Sequence, residues 1–379
     1  MNILHIAKYY PPEPGGIENF VYDLASAQAE NGHAVYVICH QTGFAKTSQH
    51  ENINGVQVDR IRTFGEMAHA PVSPGFLFRL HSAIRRFRPD VIHAHLPNVS
   101  TFWLLFLPKT CPLLLHWHAD VVASKIDKKM SCLYPIYKPW ETRLLKRADR
   151  IICTSSAYLN TSQALRQWRK KCAVIPLGLD PERMTISGKP SNSNTQKTSR
   201  FSVLSVGRFT YYKGFRFLIE AAGKIPEADF IIVGDGPERR KLKQMINHCG
   251  LQDRVWLPGK VSQDALMHLF EHCDIFCLPS LERTEAFGMV LLEAMYFGKP
   301  LITTVIPGSG VTEVNLHGHT GLQVKPANPE TIAEAIHFFQ KKPKDRIKMG
   351  HQARKRFDSF YHIRPVAEKI TRLYQSLKK

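Results

Sequence analysis

Thr284-Glu285-Ala286-Phe287-Gly288-Met289-Val290-Leu291-Leu292-Glu293-Ala294-Met295 is the stretch on which the reading of this chain turns. The apolar run Asp274-Ile275-Phe276-Cys277-Leu278-Pro279 before it has the composition of a buried parallel strand, stopped by proline. After it, Ala286 to Phe297 carries helical apolar spacing and stops at Gly298. Glu285 therefore falls in a strand-to-helix loop, at the strand's carboxyl end, where open α/β sheets bind ligands. Glu293 falls inside the helix, between Leu292 and Ala294. Two readings of it stand: one residue of a solvated helical stripe, or a carboxylate held by hydrogen bonds amid apolar side chains, where it would be costly without them.

Upstream of this stretch, strand Phe201 to Val206 runs into Gly207-Arg208-Phe209-Thr210-Tyr211-Tyr212-Lys213-Gly214 and then helix Phe215 to Ala222. Arg208 and Lys213, beside glycines at a strand end, make a cationic clamp suited to a diphosphate, the guanidinium as a planar fork and the ammonium as a point charge. Phe230 to Val233 is a further strand, and Gly234-Asp235-Gly236-Pro237 opens another helix. Downstream come strand Leu301 to Thr304, a hairpin and strand over Gly318 to Val324, helices Pro329 to Gln340 and Lys344 to Phe357, and a last amphipathic helix, Val366 to Leu377.

The first half has the same rhythm. Strand Asn2 to Ala7 leads through Pro11-Pro12-Glu13-Pro14-Gly15-Gly16-Ile17-Glu18 into a helix carrying Phe20, Leu24 and Ala27. This is not the GxGxxG dinucleotide fingerprint, yet paired glycines let backbone N–H groups approach a ligand at a helix start; an ordinary tight turn is the alternative. Strands Ala34–Cys39, Val56–Ile61, Asp90–His95, Pro112–His116, Arg150–Thr154 and Cys172–Pro176 alternate with helices, which means a parallel sheet covered on both faces. His93 and His95 share one side of a strand, and His116 and His118 repeat the pattern. Two His-x-His pairs suggest a metal, but no cysteine or carboxylate pair completes the set, and satisfied core residues are the expected role of His93 and His116. Ser187 to Ser199 is polar without apolar period, a linker.

The two glutamates eight positions apart, in a Glu-Ala-Phe-Gly loop, resemble the E-x7-E signature of the retaining glycosyltransferases of family 4, enzymes of GT-B architecture. The Gly-Arg-x4-Lys-Gly segment at 207–214 and the Pro-Pro-x-x-Gly-Gly-x-Glu segment at 11–18 resemble that family's loops, so the resemblance covers nearly the whole chain. It implies an α/β fold of two Rossmann-like domains facing across a cleft. Residues 1–180 would bind acceptor and 201–364 nucleotide-sugar, joined by 181–200, with a helix at 365–379 crossing back to the first domain. It implies catalytic roles for Glu285, facing the donor sugar, and for His118, close to the transferred sugar and able to bond a hydroxyl or the diphosphate; His95 and Asp120 are weaker candidates. For donor binding it implies Gly15 and Gly16 at the diphosphate, Arg208 and Lys213 on the leaving diphosphate, and Gly234 and Gly236 on the nucleotide side. Phe287 and Gly288 would offer backbone N–H groups, and Glu293 would hold the ribose.

The chain has no Asp-x-Asp to hold Mg²⁺, so the expected enzyme needs neither metal nor cofactor, its positive potential coming from Arg208, Lys213 and helix N-termini. The Arg283-to-Met289 sequence, with Gly308-Ser309-Gly310-Val311 and Asn315, resembles bacterial mannosyl and rhamnosyl transferases of lipopolysaccharide or capsule assembly. That implies GDP-mannose as donor and a lipid-linked saccharide as acceptor. UDP-glucose, UDP-galactose or UDP-N-acetylglucosamine transferases stay open, as does a GT-B sugar-nucleotide epimerase.

Composition sets outer bounds. A net charge of +19 admits nucleic acid, an anionic membrane or mere solubility as its reason. No RRM, KH, zinc-finger or helix-turn-helix pattern supports nucleic acid. Basic residues at Arg79–Arg88 and Lys125–Arg150, the latter interleaved with Tyr134, Tyr137 and Trp140, suit peripheral contact with an anionic leaflet. No run reaches the roughly 18 apolar residues of a membrane span, and the start shows no basic n-region, so a cytoplasmic location is expected, peripheral on the inner face of the plasma membrane. The eight scattered cysteines, without a CxxC pair, read as free thiols.

Overall fold

The computed structural model describes residues 1–13, 15–43, 47–67, 70–121, 128–185 (128–130 as backbone) and 200–377. Most of the expected linker, 186–199, and Lys125 of the basic cluster lie outside the described residues. The chain divides into two units: Met1–Leu179 with Ile363–Lys379, and Asp180–His362.

In the first unit β1 (Asn2–Ile6), β2 (Ala34–His40), β3 (Gln49–Ile53), β4 (Val56–Ile61), the small hairpin β5 (Glu66–Met67) and β6 (Ala70–Pro71), β7 (Val91–Leu96), β8 (Leu113–Trp117), β9 (Arg150–Cys153) and β10 (Cys172–Val174) are joined by α1 (Gly16–Glu30), α2 (Phe76–Phe87), a 3-10 segment Val99–Phe106, α3 (Lys128–Arg147) and α4 (Ser156–Thr161). The main sheet has the order β10-β9-β8-β7-β1-β2-β4-β3. It is parallel except for β3, which runs antiparallel to β4 and corrects the all-parallel expectation. Asn54 and Gly55 both have positive φ, 51° and 80°, the geometry of a two-residue hairpin turn. The polar sequence Gln49-His50-Glu51-Asn52 hid the strand, because an edge strand has no apolar face to betray it.

The second unit holds β11 (Phe201–Val206), α5 (Phe215–Ala222), β12 (Ala228–Val233), α6 (Arg239–His248), β13 (Val255–Gly259), α7 (Gln263–His272), β14 (Ile275–Leu278), α8 (Met289–Tyr296), β15 (Leu301–Thr304), α9 (Val311–Val314), β16 (Gly321–Val324), α10 (Pro329–Lys341) and α11 (Pro343–Phe360). Its sheet, β13-β12-β11-β14-β15-β16, is wholly parallel. Numbered within the unit this is 3-2-1-4-5-6, the doubly wound order whose direction reverses between β11 and β14. The hairpin expected at Gly318 is instead a tight turn, Gly318 N–H to Gly321 C=O, feeding a parallel strand.

The last helix, α12 (Ile363–Ser376), belongs to the first unit. Its buried residues Ile363, Val366, Ala367, Ile370 and Tyr374 form one helical face that packs with α1. Ile363 N–H bonds the Leu179 carbonyl at 3.0 Å. Gly178 lets the helix in: a Cβ there would lie 3.0 Å from Ile363 Cα and 3.2 Å from Val366 Cβ.

Candidate active site

In the second unit the loops leaving β11 and β14 flank the point where strand order reverses, and a crevice forms outside such strand ends. Lys213 stands on the first loop and Glu285 on the second, and Nζ to Oε2 is 2.6 Å. Both side chains are nearly buried, at 11% and 9% exposure. Burial alone would lower the Lys213 pKa, but Glu285, and more weakly Tyr212 and Glu293, outweigh it and raise it. The ammonium form of Lys213 is therefore held. Glu285 is braced from below: Ser280 Oγ donates to the same Oε2 at 2.9 Å, Ser309 Oγ donates to the Glu285 carbonyl, and Thr304 Oγ1 to the Ser280 carbonyl. Sequence reasoning missed Ser280, Thr304 and Ser309, since small hydroxyl residues near strand ends leave no periodic mark.

The glycines have local reasons. Gly214, with φ 68°, brings its loop so close to Pro279 that a Cβ would sit 2.1 Å from that carbonyl. Gly207 packs on Lys213, where a Cβ would meet Cε at 3.3 Å. Gly234 and Gly236 let the β12–α6 turn lie backbone to backbone on 207–209, with Cβ positions 1.9 Å from Gly207 O and 2.6 Å from Phe209 O. Their smallness thus serves the protein's own packing, and the geometry does not call for a ligand at either. Gly288 adopts φ 81°, which delays α8 to Met289; the helix expected from Ala286 starts three residues later. Phe287 is buried against Tyr361, ring centroids 6.2 Å apart. Glu293 is half-buried on α8, and its charge reaches Lys213, so it is neither wholly solvated nor enclosed. Arg208 is exposed, and its guanidinium has no ion-pair partner among the described residues.

In the first unit Gly15 and Gly16 open α1, Gly15 in extended backbone. The Glu18 carboxylate folds back over Gly15, with Oε2 2.0 Å from where a Cβ would stand. Burial raises its pKa, against the pull of its own backbone N–H and Lys8. At the strand ends, five buried histidines share one sheet face: His5 on β1, His93 and His95 on β7, and His116 and His118 at the end of β8. Burial drives the His5 pKa down to about 4 and that of His118 to about 3, and holds the other three well below the usual value. His93 is satisfied as a core group, through Tyr374 OH at 2.6 Å and His116 Nδ1 at 3.2 Å, whereas His116, expected to be satisfied too, keeps a buried Nε2 without a partner among the described residues. Asp120 takes hydrogen bonds from Trp117 Nε1 at 2.8 Å and Ser162 Oγ at 2.7 Å, which makes it a brace for the β8 loop. Buried Gln28 of α1 and Tyr374 of α12, which had no sequence signal, bond into the histidine layer.

Doubly wound units are what GT-B glycosyltransferases are built from, but the winding alone names no chemistry; the comparisons supply the class. The pattern "Glycosyltransferase Family 4" matches residues 14–183, and "Glycosyl transferases group 1" matches 189–356. The D-rhamnosyltransferase WbpZ of Pseudomonas aeruginosa is 30% identical over 374 residues, 95% of this chain and 92% of that one. The O-antigen chain mannosyltransferase C of Escherichia coli is 28% identical, with 100% and 99% covered. The sucrose-phosphate synthase structure from Thermosynechococcus elongatus shares the fold at a TM-score of 0.82 and 23% identity, covering 99% of this chain and 98% of that one. The chain belongs to the family 4 glycosyltransferases.

Proposed function

We propose that this glycosyltransferase moves a hexose, mannose in the first instance, from GDP-mannose to a lipid-linked saccharide, with retention of anomeric configuration and without a metal ion. The observation that carries the donor reading is the braced Lys213–Glu285 pair at the strand-order reversal, with Arg208 exposed beside it. A diphosphate approaching Glu285 alone would be repelled; Lys213 cancels that charge, and Arg208 adds a further positive charge free to fork onto phosphate oxygens. As the glycosidic bond breaks and charge grows on the leaving diphosphate, Lys213 and Arg208 stabilise it from fixed positions. Glu285, held by Ser280 and Lys213, faces the sugar; Glu293 takes the ribose hydroxyls; and the N–H groups around Gly288 face phosphate. In the first unit, which binds the acceptor, Gly15, Gly16 and His118 keep the roles that the family resemblance implies. The mannosyl and rhamnosyl relatives support the choice of sugar.

The same reading gives the enzyme a peripheral membrane face. Among the described residues no helix is long and apolar enough to cross a membrane. On the first unit Phe106, Leu133, Ile136 and Trp140 are nevertheless exposed. Phe106 and Trp140 rings lie 5.9 Å apart, and the Arg143 guanidinium sits 5.5 Å over Trp140. Apolar side chains beside cations suit the boundary of an anionic leaflet.

The test is incubation with GDP-mannose, or with UDP-glucose, UDP-galactose or UDP-N-acetylglucosamine, and lipid-linked saccharide in EDTA, read by mass spectrometry. Transfer of one hexose from GDP-mannose is expected. Transfer from a UDP-sugar alone overturns the donor, and an epimeric nucleotide-sugar formed without acceptor, read by proton NMR because epimers have equal mass, makes the protein an epimerase.

A further inference from the structure

The five histidines of the first unit are links of one hydrogen-bonded chain. His118 Nε2 meets His95 Nδ1 at 3.0 Å, and His95 Nε2 meets His5 Nδ1 at 3.1 Å. His5 Nε2 meets Gln28 Oε1 at 2.8 Å, and Gln28 Nε2 donates to Tyr374 OH at 3.2 Å. Tyr374 OH meets His93 Nδ1 at 2.6 Å, and His93 Nε2 meets His116 Nδ1 at 3.2 Å. Both ends lie at the carboxyl end of β8, at His118 Nδ1 just past the strand and at His116 Nε2 within it, which are buried and have no partner among the described residues. The two end rings stack at 4.3 Å, 4° from parallel.

A neutral imidazole has one donor and one acceptor nitrogen, so each bond in such a chain sets the direction of the next. Gln28 Oε1 can only accept, so His5 carries its proton on Nε2 and accepts at Nδ1. His95 must then donate from Nε2, and His118 likewise. On the other branch Tyr374 OH accepts from Gln28 and has no other acceptor among the described residues, so it donates a hydrogen bond to His93 Nδ1. His93 donates from Nε2 to His116 Nδ1, leaving the His116 proton on Nε2. All five rings take the same tautomer. Burial keeps the rings neutral, which this accounting requires.

We infer that Gln28 is a positioning residue: its amide locks the five histidines into the Nε2–H tautomer, so that His118 offers a lone pair at Nδ1 and His116 a proton at Nε2. This rests on the proposed role of His118 beside the transferred sugar, and it narrows that role. A lone pair accepts a hydrogen bond from a sugar hydroxyl and would repel a phosphate oxygen. The three-histidine groups His5-His93-His95 and His95-His116-His118 are close enough together to hold a metal ion. A metal there would have to replace protons the chain already shares, with no carboxylate in either group to offset its charge.

The test is long-range nitrogen–proton NMR of the full-length protein labelled at histidine, with and without EDTA. In the wild type all five rings should show protonated Nε2 and bare Nδ1, unchanged by EDTA. Gln28→Glu should split the chain, because a carboxylate accepts from both sides. His5, His95 and His118 would keep Nε2–H, while Tyr374 would turn to the carboxylate and His93 and His116 would switch to Nδ1–H. Gln28→Leu should leave the five rings no longer uniform, and lower kcat roughly 10-fold with donor KM unchanged, while Gln28→Glu restores kcat. Protonated His118 Nδ1 in the wild type, identical tautomers in wild type and Gln28→Glu, or spectra that change on adding EDTA would each overturn the inference. Tautomers as expected with no glycosyl transfer would keep the lock and discard its service to a sugar.

Discussion

Around the reversal of strand order the two units put opposite chemistry. Beside β11 and β14 the second unit buries a charged pair, Lys213 and Glu285, with exposed Arg208 close in sequence. Beside β1 and β7 the first unit buries imidazoles that burial keeps uncharged. The winding is the same in both, since β4-β2-β1-β7-β8-β9 repeats the order β13-β12-β11-β14-β15-β16. Winding therefore supplies a place, and the residues at strand ends decide what it can hold. A fixed ion pair with a spare cation suits an anion; neutral donors and acceptors suit hydroxyls.

Acid should break this comparison most strongly. In the first unit the folded histidine pKa values lie below the unfolded value of 6.5, His5 at about 4 and His118 at about 3. Between those limits the unfolded chain binds more protons, so stability falls as pH drops below about 6.5, by about 1.4 kcal/mol per pH unit for each histidine that stays neutral. Denaturant titrations from pH 7.5 to 5 should lose first-unit stability steeply, followed by Trp117 and Trp140 fluorescence. A flat profile would mean the histidines charge without unfolding.

Breaking the ion pair is next in size. Lys213→Ala leaves Glu285 buried without its counter-charge, with Ser280 Oγ as its remaining side-chain donor, which costs roughly 3–5 kcal/mol by analogous buried pairs. Arg208→Ala, at an exposed position, should change stability by under about 0.5 kcal/mol yet weaken GDP binding by about 10- to 100-fold, the loss of one or two charge-assisted hydrogen bonds. Equal stability losses in the two variants, read by thermal unfolding, would erase the distinction between the buried and the free cation.

A smaller effect sharpens the contrast within the first unit. Glu141 is buried, and burial pushes its pKa up to about 7, with Tyr134 OH donating to it at 2.8 Å. A raised carboxyl pKa means the folded state holds the extra proton between about 4.5 and 7, so its cost is absent at low pH and full above 7. Glu141→Gln should stabilise the protein at pH 8 and leave it unchanged at pH 4.5. The smallest effect concerns the surface: Phe106→Ala with Trp140→Ala should alter the melting temperature little and reduce sedimentation with anionic vesicles.

Much of this was legible in the residues. Runs such as Phe201–Val206 and Leu301–Thr304, apolar and bounded by glycine or proline, gave strands with the observed limits, and the strand–loop–helix setting put Glu285 and Lys213 at strand ends. What could not be read has physical causes. The start of α8 depends on the sign of one φ at Gly288, which apolar periodicity does not register. The partners of Glu285 come from Ser280 and Ser309, brought together only by the sheet. The histidine chain closes through Gln28 and Tyr374, 346 positions apart, so no local pattern could reveal it.

The central claim, that the second unit holds a nucleoside diphosphate through its own cations and Glu293, is tested most directly by calorimetric titration of GDP in EDTA. The account predicts binding to the wild type without metal and at least about 10-fold weaker binding to Glu293→Ala, the cost of one charge-assisted hydrogen bond pair. Equal affinity in both proteins, or binding that EDTA abolishes, would contradict it.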